Sequence, residues 1–389
     1  MKIIIPTFER IEWMPPTITM LKELNKNGYE VLVITLFPSQ YLEELNLDNV
    51  SQLSLTSKER SLQKKIRYIK GLSGILYRLD LLYKKIIARK LRSVLRDSYK
   101  QGDLLWVVNE MTVILGGASW LKKYKYLFTI YELHELNYRN RNIIKAAQHA
   151  ENVIVPEYCR AHIMKFWYNL NRVPLIIPNK SDVIFSKDVL DLPNYVQEAI
   201  VTVEKLKSKG KFLLVYMGII SRERPLDAIL SAIRNHSQYH LVVLGRETEY
   251  LHTLERNYRE SLTYLGNFLP PYHLQVAQNA DAGILVYTPA SKNSGLNALF
   301  CAPNKIWEYS GLGLPVIAND IPGLKFEVEY SNIGHCVDFT SEVDILKAIT
   351  RISENCSAYN KASADYYSSK DISAIYRDII SGYNSEIGG

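Results

Sequence analysis

At 389 residues, with 47% hydrophobic, 22% charged and 11% aromatic side chains, the chain is globular in makeup and too long for one ordinary core, so two domains are expected. Its 47 Lys and Arg against 40 Asp and Glu leave a net charge of +7, which permits an anionic partner without demanding one. Four scattered cysteines, Cys159, Cys301, Cys336 and Cys356, exclude a disulfide framework, and no CxxC pair or His/Cys cluster suggests zinc.

In chain order, the opening Met1-Lys2-Ile3-Ile4-Ile5-Pro6 is too short for a signal peptide, and no later run approaches the ~18 apolar residues of a membrane span, so a cytoplasmic protein is expected. Short β-branched runs alternate with amphipathic helical stretches, the pattern of parallel sheets covered by helices on both faces. The first set of expected strands covers 2–6, 30–36, 104–108, 126–131, 152–155 and 174–177. Ile177-Pro178-Asn179-Lys180-Ser181-Asp182 then interrupts regular structure, and the domain boundary is placed there, giving domains of 1–178 and 179–365. The second set of strands covers 211–217, 240–244, 261–265, 282–287, 315–318 and 334–337. A last helical stretch, assigned to 366–389, has no strand after it and is expected to pack back on the first domain. Two such halves imply α/β architecture with a deep cleft between doubly wound domains, and ligands at the carboxyl ends of the strands.

The segment richest in chemistry is Ala302-Pro303-Asn304-Lys305-Ile306-Trp307-Glu308-Tyr309-Ser310-Gly311-Leu312-Gly313-Leu314-Pro315-Val316-Ile317. Pro303 suits a first helical turn, Gly311 and Gly313 end a short helix, and the next apolar run reads as a buried strand. A helix N-terminus at the cleft offers free N–H groups and positive dipole to an anion, and Lys305 adds a full charge beside it. Glu308, three residues on, faces the same side, where a carboxylate can accept two hydrogen bonds from a ribose diol. Taken alone, Lys305 and Glu308 read first as an ordinary surface i, i+3 pair, as most such pairs are.

This segment resembles the donor-binding helix of the group 1 retaining glycosyltransferases of the GT-B class, in the branch with a Pro-Asn-Lys-x-x-Glu-Tyr signature followed by Gly-x-Pro-Val-Ile. The resemblance spans roughly residues 100–389. Met217-Gly218-Ile219-Ile220-Ser221-Arg222-Glu223-Arg224 is similar to the family's strand and glycine loop, and Val243-Leu244-Gly245, Tyr264-Leu265-Gly266 and Asn279-Ala280-Asp281-Ala282-Gly283-Ile284 follow in family order. Ile177-Pro178-Asn179 resembles the interdomain hinge.

The resemblance implies two Rossmann-like domains and transfer of a hexosyl-type group, with retention, from a nucleotide sugar to a glycan or lipid-linked acceptor. UDP is the expected nucleotide, and surface polysaccharide or glycoconjugate assembly the expected setting. It implies catalytic roles for His134, Arg224 and Lys305, the His lying in Tyr131-Glu132-Leu133-His134-Glu135, similar to the family's His-Glu motif. Donor contacts fall to Gly218, Arg222, Gly266, Asn267, Tyr287, Asn297, Pro303, Asn304 and Glu308, and acceptor-side contacts to Glu9, Arg10 and Glu135. Of the two arginines, Arg224 is favoured over Arg222 for the diphosphate. Glu308 matches the second glutamate of the family's Glu-x7-Glu motif, but the first falls at Phe300, and the usual Gly-Gly loop of the first domain is replaced by residues 8–16. No Asp-x-Asp occurs, so a metal-independent reaction without cofactor is expected, the charge of the leaving diphosphate being met by Lys305, Arg224 and the helix dipole. A GT-B sugar-nucleotide 2-epimerase and a catalytically silent GT-B subunit are the alternatives. No zinc finger, RNP-like aromatic motif or helix-turn-helix points to nucleic acid.

The charge is not evenly spread. Thirteen basic and three acidic residues lie between Lys58 and Asp97, a local excess of +10 that leaves the rest of the chain at −3. Apolar residues at helical spacing, including Ile66, Ile69, Leu79, Leu82, Tyr83 and Ile86, suggest basic amphipathic helices whose apolar stripe packs on the sheet. The charge excess suggests peripheral contact with anionic lipid at the inner face of the membrane.

Overall fold

The apolar runs of the sequence become strands buried on both faces, as parallel sheets sandwiched by helices require. A computed structural model describes residues 1–56, 73–134, 140–181, 192–288 and 295–387, with the backbone alone at 73–80 and 384–387. The chain divides into two units, one built from Met1–Pro178 with the C-terminal helix Ile372–Ile387, the other from Asn179–Asp371.

The first unit holds β1 (Lys2–Thr7), β2 (Glu30–Thr35), β3 (Val50–Ser54), β4 (Leu104–Val108), β5 (Tyr126–Thr129), β6 (Asn152–Val155) and β7 (Leu175–Ile176). They form one parallel sheet in the order β3-β2-β1-β4-β5-β6-β7. β3 was not expected from the sequence: its residues, VSQLS, are short, polar and only half-buried, because it is an edge strand with one covered side. Ile3, Ile5, Val31, Val33, Leu104 and Trp106 are fully buried at the centre. The helix Ile372–Ile387 covers this core with Ile372, Tyr376, Ile380 and Tyr383, and the Tyr376 ring lies 5.9 Å from Trp106.

The helix Ser73–Ser98 corrects the expected stripe. Tyr83, Ile87, Leu91 and Leu95, each four residues apart, form its buried row, whereas Leu82 (55% exposed) and Ile86 (36%) point outward. A straight helix presents only one such row to a sheet, so the neighbouring apolar positions are left in solvent. They share that side with Lys85, Arg89, Arg92 and Arg96. The rest of the basic segment, 58–72, lies outside the described residues. Among the described residues no helix is long and apolar enough to cross a membrane.

The second unit holds β8 (Phe212–Met217), β9 (Tyr239–Leu244), β10 (Leu262–Gly266), β11 (Ala282–Leu285), β12 (Val316–Asn319) and β13 (Gly334–Val337), all parallel, in the order β10-β9-β8-β11-β12-β13. Each sheet thus reverses its winding once, between β1 and β4 and between β8 and β11. Such switch points open a crevice at the carboxyl ends of the strands.

The single helix expected over 366–389 is two, Cys356–Ser368 and Ile372–Ile387. Lys180 accounts for the break. Its Nζ donates to the carbonyls of Tyr367 (2.7 Å) and Lys370 (2.8 Å) and sits 3.9 Å from the Tyr367 ring centroid, so a side-chain cation satisfies carbonyls that a continuing helix would bond itself.

Candidate active site

At the carboxyl edge of the second sheet three neighbouring strands end in glycine: β8 at Gly218, β9 at Gly245 and β10 at Gly266, with φ of 133°, 158° and 113°. They are tied edge to edge, Gly218 N–H donating to Leu244 O and Gly245 N–H to Gly266 O, each at 2.9 Å. At the first two, a side chain would collide. A Cβ at Gly218 would lie 2.7 Å from Lys305 Cε, and one at Gly245 would lie 2.1 Å from the Gly218 carbonyl oxygen. Backbone therefore lines a pocket of about 430 Å³, bordered also by Asn267, His273 and Lys305. A ligand can approach main-chain groups closely there.

Lys305 reaches this edge from the helix Asn304–Gly311. Its N-cap, Pro303, has no side-chain oxygen to offer the first-turn N–H groups, which leaves them for an anion. Asn179 fixes the approach by donating Nδ2–H to Ala302 O at 2.8 Å. The helix is pinned to the sheet by Tyr309, fully buried, whose hydroxyl meets Val215 O at 3.1 Å, Ile284 O at 3.3 Å and Met217 N at 3.2 Å. Gly283 in β11 makes room, since a Cβ there would lie 2.5 Å from the Tyr309 ring.

Glu308 is 6% exposed. Burial pushes its carboxyl up, but the Lys305 charge and then His273 outweigh that, so the group is held below the usual carboxylate range. No ion pair joins Lys305 to Glu308 among the described residues. The partner is His273, whose Nε2 lies 3.7 Å from Glu308 Oε2. Oε2 itself is buried without a hydrogen-bond partner, as is His273 Nδ1. A carboxylate kept ionised with an oxygen unbonded is an acceptor waiting for donors.

The two arginines separate. Arg224 places its guanidinium 4.8 Å from the centroid of Tyr287, which follows β11. Burial raises the phenols of Tyr216 and Tyr287, with the Arg224 charge opposing both shifts. Asn319 holds the Tyr287 backbone in place, accepting its N–H at 2.9 Å and donating to its carbonyl at 2.8 Å. Arg222 is exposed and lies 5.6 Å from Tyr250, on the helix Glu249–Asn257. Asn267 is exposed at the pocket rim, and Asn297 is half-buried on the short helix Gly295–Leu299.

In the first unit, Glu9 and Arg10 follow β1, and Arg10 is engaged locally with Glu12 (3.5 Å) and the Trp13 ring (5.0 Å). Glu135 lies outside the described residues. His134 follows β5 in a segment held by three side chains from two helices, Glu110–Gly116 and Tyr158–Trp167 with its C-cap Tyr168. Arg160, 3% exposed, donates Nη1–H to Tyr131 O. Glu110, 4% exposed, accepts Glu132 N–H on Oε1 at 2.7 Å, and Tyr168 donates its hydroxyl to His134 O at 2.7 Å. Burial raises the Tyr168 phenol, and Glu110 adds to that shift.

The sequence alone did not single out His273, Glu110 or Arg160. His273 had a weak signal in its position just after Pro270-Pro271, at the start of the helix Tyr272–Ala277. Glu110 had one in Asn109, a natural N-cap, here at φ 70° with its Oδ1 accepting Met111 N–H.

No family model matches this chain, and no curated protein matches it in sequence. Solved structures do. Anabaena HepE in complex with UDP superposes with a TM-score of 0.69 at 14% identity, covering 99% of this chain and 100% of that one. Sucrose-phosphate synthase from Thermosynechococcus elongatus gives 0.68 at 16%, covering 100% and 99%. The UDP-forming α,α-trehalose-phosphate synthase from Burkholderia vietnamiensis gives 0.65 at 12%, covering 99% and 100%. At these identities the likeness is one of architecture, and the fold of this chain is GT-B: two parallel α/β units of seven and six strands.

Proposed function

We propose that this chain is a glycosyltransferase that takes the glycosyl group from a nucleotide sugar, with UDP as the nucleotide, and passes it with retention to a hydroxyl of a glycan or lipid-linked acceptor. The observation that carries the reading is the meeting of Gly218, Lys305 and the ionised Glu308, whose Oε2 makes no hydrogen bond, at one sheet edge. That combination offers a backbone cradle and a cation for a diphosphate, and a carboxylate for a ribose diol. The UDP bound to HepE supports the choice of nucleotide.

In this scheme the bond from the anomeric carbon to the diphosphate oxygen breaks, and the diphosphate leaves with the electron pair. Lys305, Arg224 and the N-terminus of the helix Asn304–Gly311 stabilise that growing charge, so no metal is called for. The acceptor oxygen forms the new bond to the same face and passes its proton to the departing diphosphate oxygen. Surface polysaccharide or glycoconjugate assembly is the setting that fits a lipid-linked acceptor. The outward face of the helix Ser73–Ser98, with Leu81, Leu82 and Ile86 among Lys85, Arg89 and Arg92, supports peripheral attachment to anionic lipid at the inner face of the membrane.

The test is a panel of UDP, GDP and dTDP sugars read by thermal unfolding, since ligand at 100 times its Kd stabilises by about 2.7 kcal/mol. Nucleotide release and acceptor-linked product are then followed with the stabilising donor. Binding with product formation supports the reading. Failure of every nucleotide to bind would defeat it, and release of nucleotide and free sugar isomer without acceptor product would favour an epimerase.

A further inference from the structure

The four residues from Tyr131 to His134 are held by more buried polar groups than a connecting loop needs. Arg160 takes the Tyr131 carbonyl, Glu110 the Glu132 amide and Tyr168 the His134 carbonyl, from two helices that the sheet brings together, Glu110–Gly116 and Tyr158–Trp167 with its C-cap Tyr168. Glu110 does something more. The same Oε1 that accepts the Glu132 N–H lies 3.6 Å from His134 Nε2. That nitrogen is buried and has no hydrogen-bond partner, although the imidazole as a whole is a quarter exposed. Glu110 opens the helix Glu110–Gly116, where the first-turn dipole favours a carboxylate in a site 4% exposed. Its own position is fixed by Asn109, which holds a φ of 70° and caps the helix by accepting Met111 N–H at 2.7 Å.

A neutral imidazole carries its proton on one nitrogen, and the fixed partner of the other decides which. A carboxylate oxygen accepts and cannot donate, so its presence beside Nε2 favours the proton there. The 3.6 Å gap closes to a hydrogen bond with a small ring movement of the kind that ligand binding produces.

We propose that Glu110 is the positioning residue of His134: it anchors the segment through the Glu132 amide and holds the imidazole proton on Nε2, leaving Nδ1 to accept a hydrogen bond from a substrate hydroxyl. The link to substrate rests on the glycosyltransferase reading; the tautomer does not.

The experiment uses the full chain with 15N-labelled histidine. Long-range proton–nitrogen correlation reports the tautomer, and His134→Gln identifies the His134 signals by difference. The expected wild-type state is Nε2–H. Glu110→Ala removes the acceptor and gives a mixture of tautomers, while Glu110→Gln, whose amide oxygen still accepts, restores the wild-type state. With the stabilising donor, Glu110→Ala lowers kcat/KM about 10-fold to 100-fold, the effect of losing one oriented hydrogen bond. Adding His134→Ala to it lowers the rate no further than His134→Ala alone. An Nδ1–H tautomer in the wild type overturns the proposal, and so does an unchanged tautomer in Glu110→Ala. Independent, multiplicative losses in the double variant also overturn it. If Glu110→Ala does not fold, the wild-type tautomer still decides. Absence of transfer with every donor defeats the proposed function and leaves the tautomer result standing.

Discussion

In the second unit β8, β9 and β10 end at Gly218, Gly245 and Gly266, so that backbone forms the edge; in the first unit the ends of β4 and β5 carry Glu110 and the Tyr131 to His134 segment, where buried side chains hold the edge. Under the proposed function, the contrast matches what each edge would bind. A diphosphate presents many equivalent oxygens and large charge, which a helix N-terminus and Lys305 can meet from several directions. A hydroxyl presents one donor and one acceptor in a set direction, which demands an oriented imidazole and therefore a clamp behind it. Glycine makes the first kind of site by removing atoms. Buried Glu110, Arg160 and Tyr168 make the second by adding bonds.

The largest expected effect falls on the charged centre of the glycine-edged site. Lys305→Ala should cut transfer by about 100-fold to 1000-fold, the cost of one preorganised charge-stabilising donor, with the melting temperature unchanged. Wild-type turnover would remove Lys305 from the chemistry.

Gly218→Ala attacks the cradle itself. Its φ of 133° disfavours a side chain, and the new Cβ would displace Lys305. Nucleotide affinity measured by calorimetry should fall by at least about tenfold, one charge-assisted contact. Unchanged affinity would mean that the ligand does not use this edge.

Tyr309→Phe separates scaffold from chemistry. Losing a hydroxyl that meets Val215 O, Ile284 O and Met217 N should lower unfolding stability in urea by about 1 to 2 kcal/mol, while the bound donor turns over at a near-normal rate.

Acid stability sharpens the role of Glu308. Burial raises its carboxyl, and Lys305 with His273 outweighs burial, so the folded value lies below the unfolded one near 4.5. A lowered folded value contributes stability that is present above the unfolded value and is lost as pH falls through the folded one. Glu308→Gln should therefore flatten the acid limb of the stability curve below about pH 4.5. An acid limb identical to wild type in urea titrations would contradict the assigned electrostatics.

The smallest effect is expected at Arg222, exposed beside Tyr250. Arg222→Ala should change kcat/KM by less than about twofold, as a solvated surface cation does. A loss matching that of Arg224→Ala would place both cations on the diphosphate.

Much of the second site could be read from the chain because its parts lie in short ordered motifs. Gly218 ends an apolar run, Pro303 opens a helix, and Lys305 and Glu308 are one turn apart on it. His273 could not be read, because its partner Glu308 lies on another helix. In the first unit the Glu110 carboxylate meets an amide 22 residues away, and Arg160 a carbonyl 29 residues away. No spacing rule links such positions. The helix Ser73–Ser98 shows the same limit from another side: periodicity identified an amphipathic basic helix, but Leu82 and Ile86 were assigned to the buried stripe that Ile87, Leu91 and Leu95 in fact form.

The local pattern of this chain determined the alternation of strands and helices, and with it the parallel α/β class, because a strand buried on both faces must be apolar at every position. It also determined the glycine ends and the helix start of the second site, since φ and capping preferences belong to single residues and their neighbours. Tertiary structure decided the rest. The order of winding put the ends of β8 and β11 beside each other, which separated Arg224 at Tyr287 from Arg222 at Tyr250 and brought His273 to Glu308. It likewise gathered Glu110, Arg160 and Tyr168 around His134, because buried polar groups distant in sequence find their partners only when the sheet has formed.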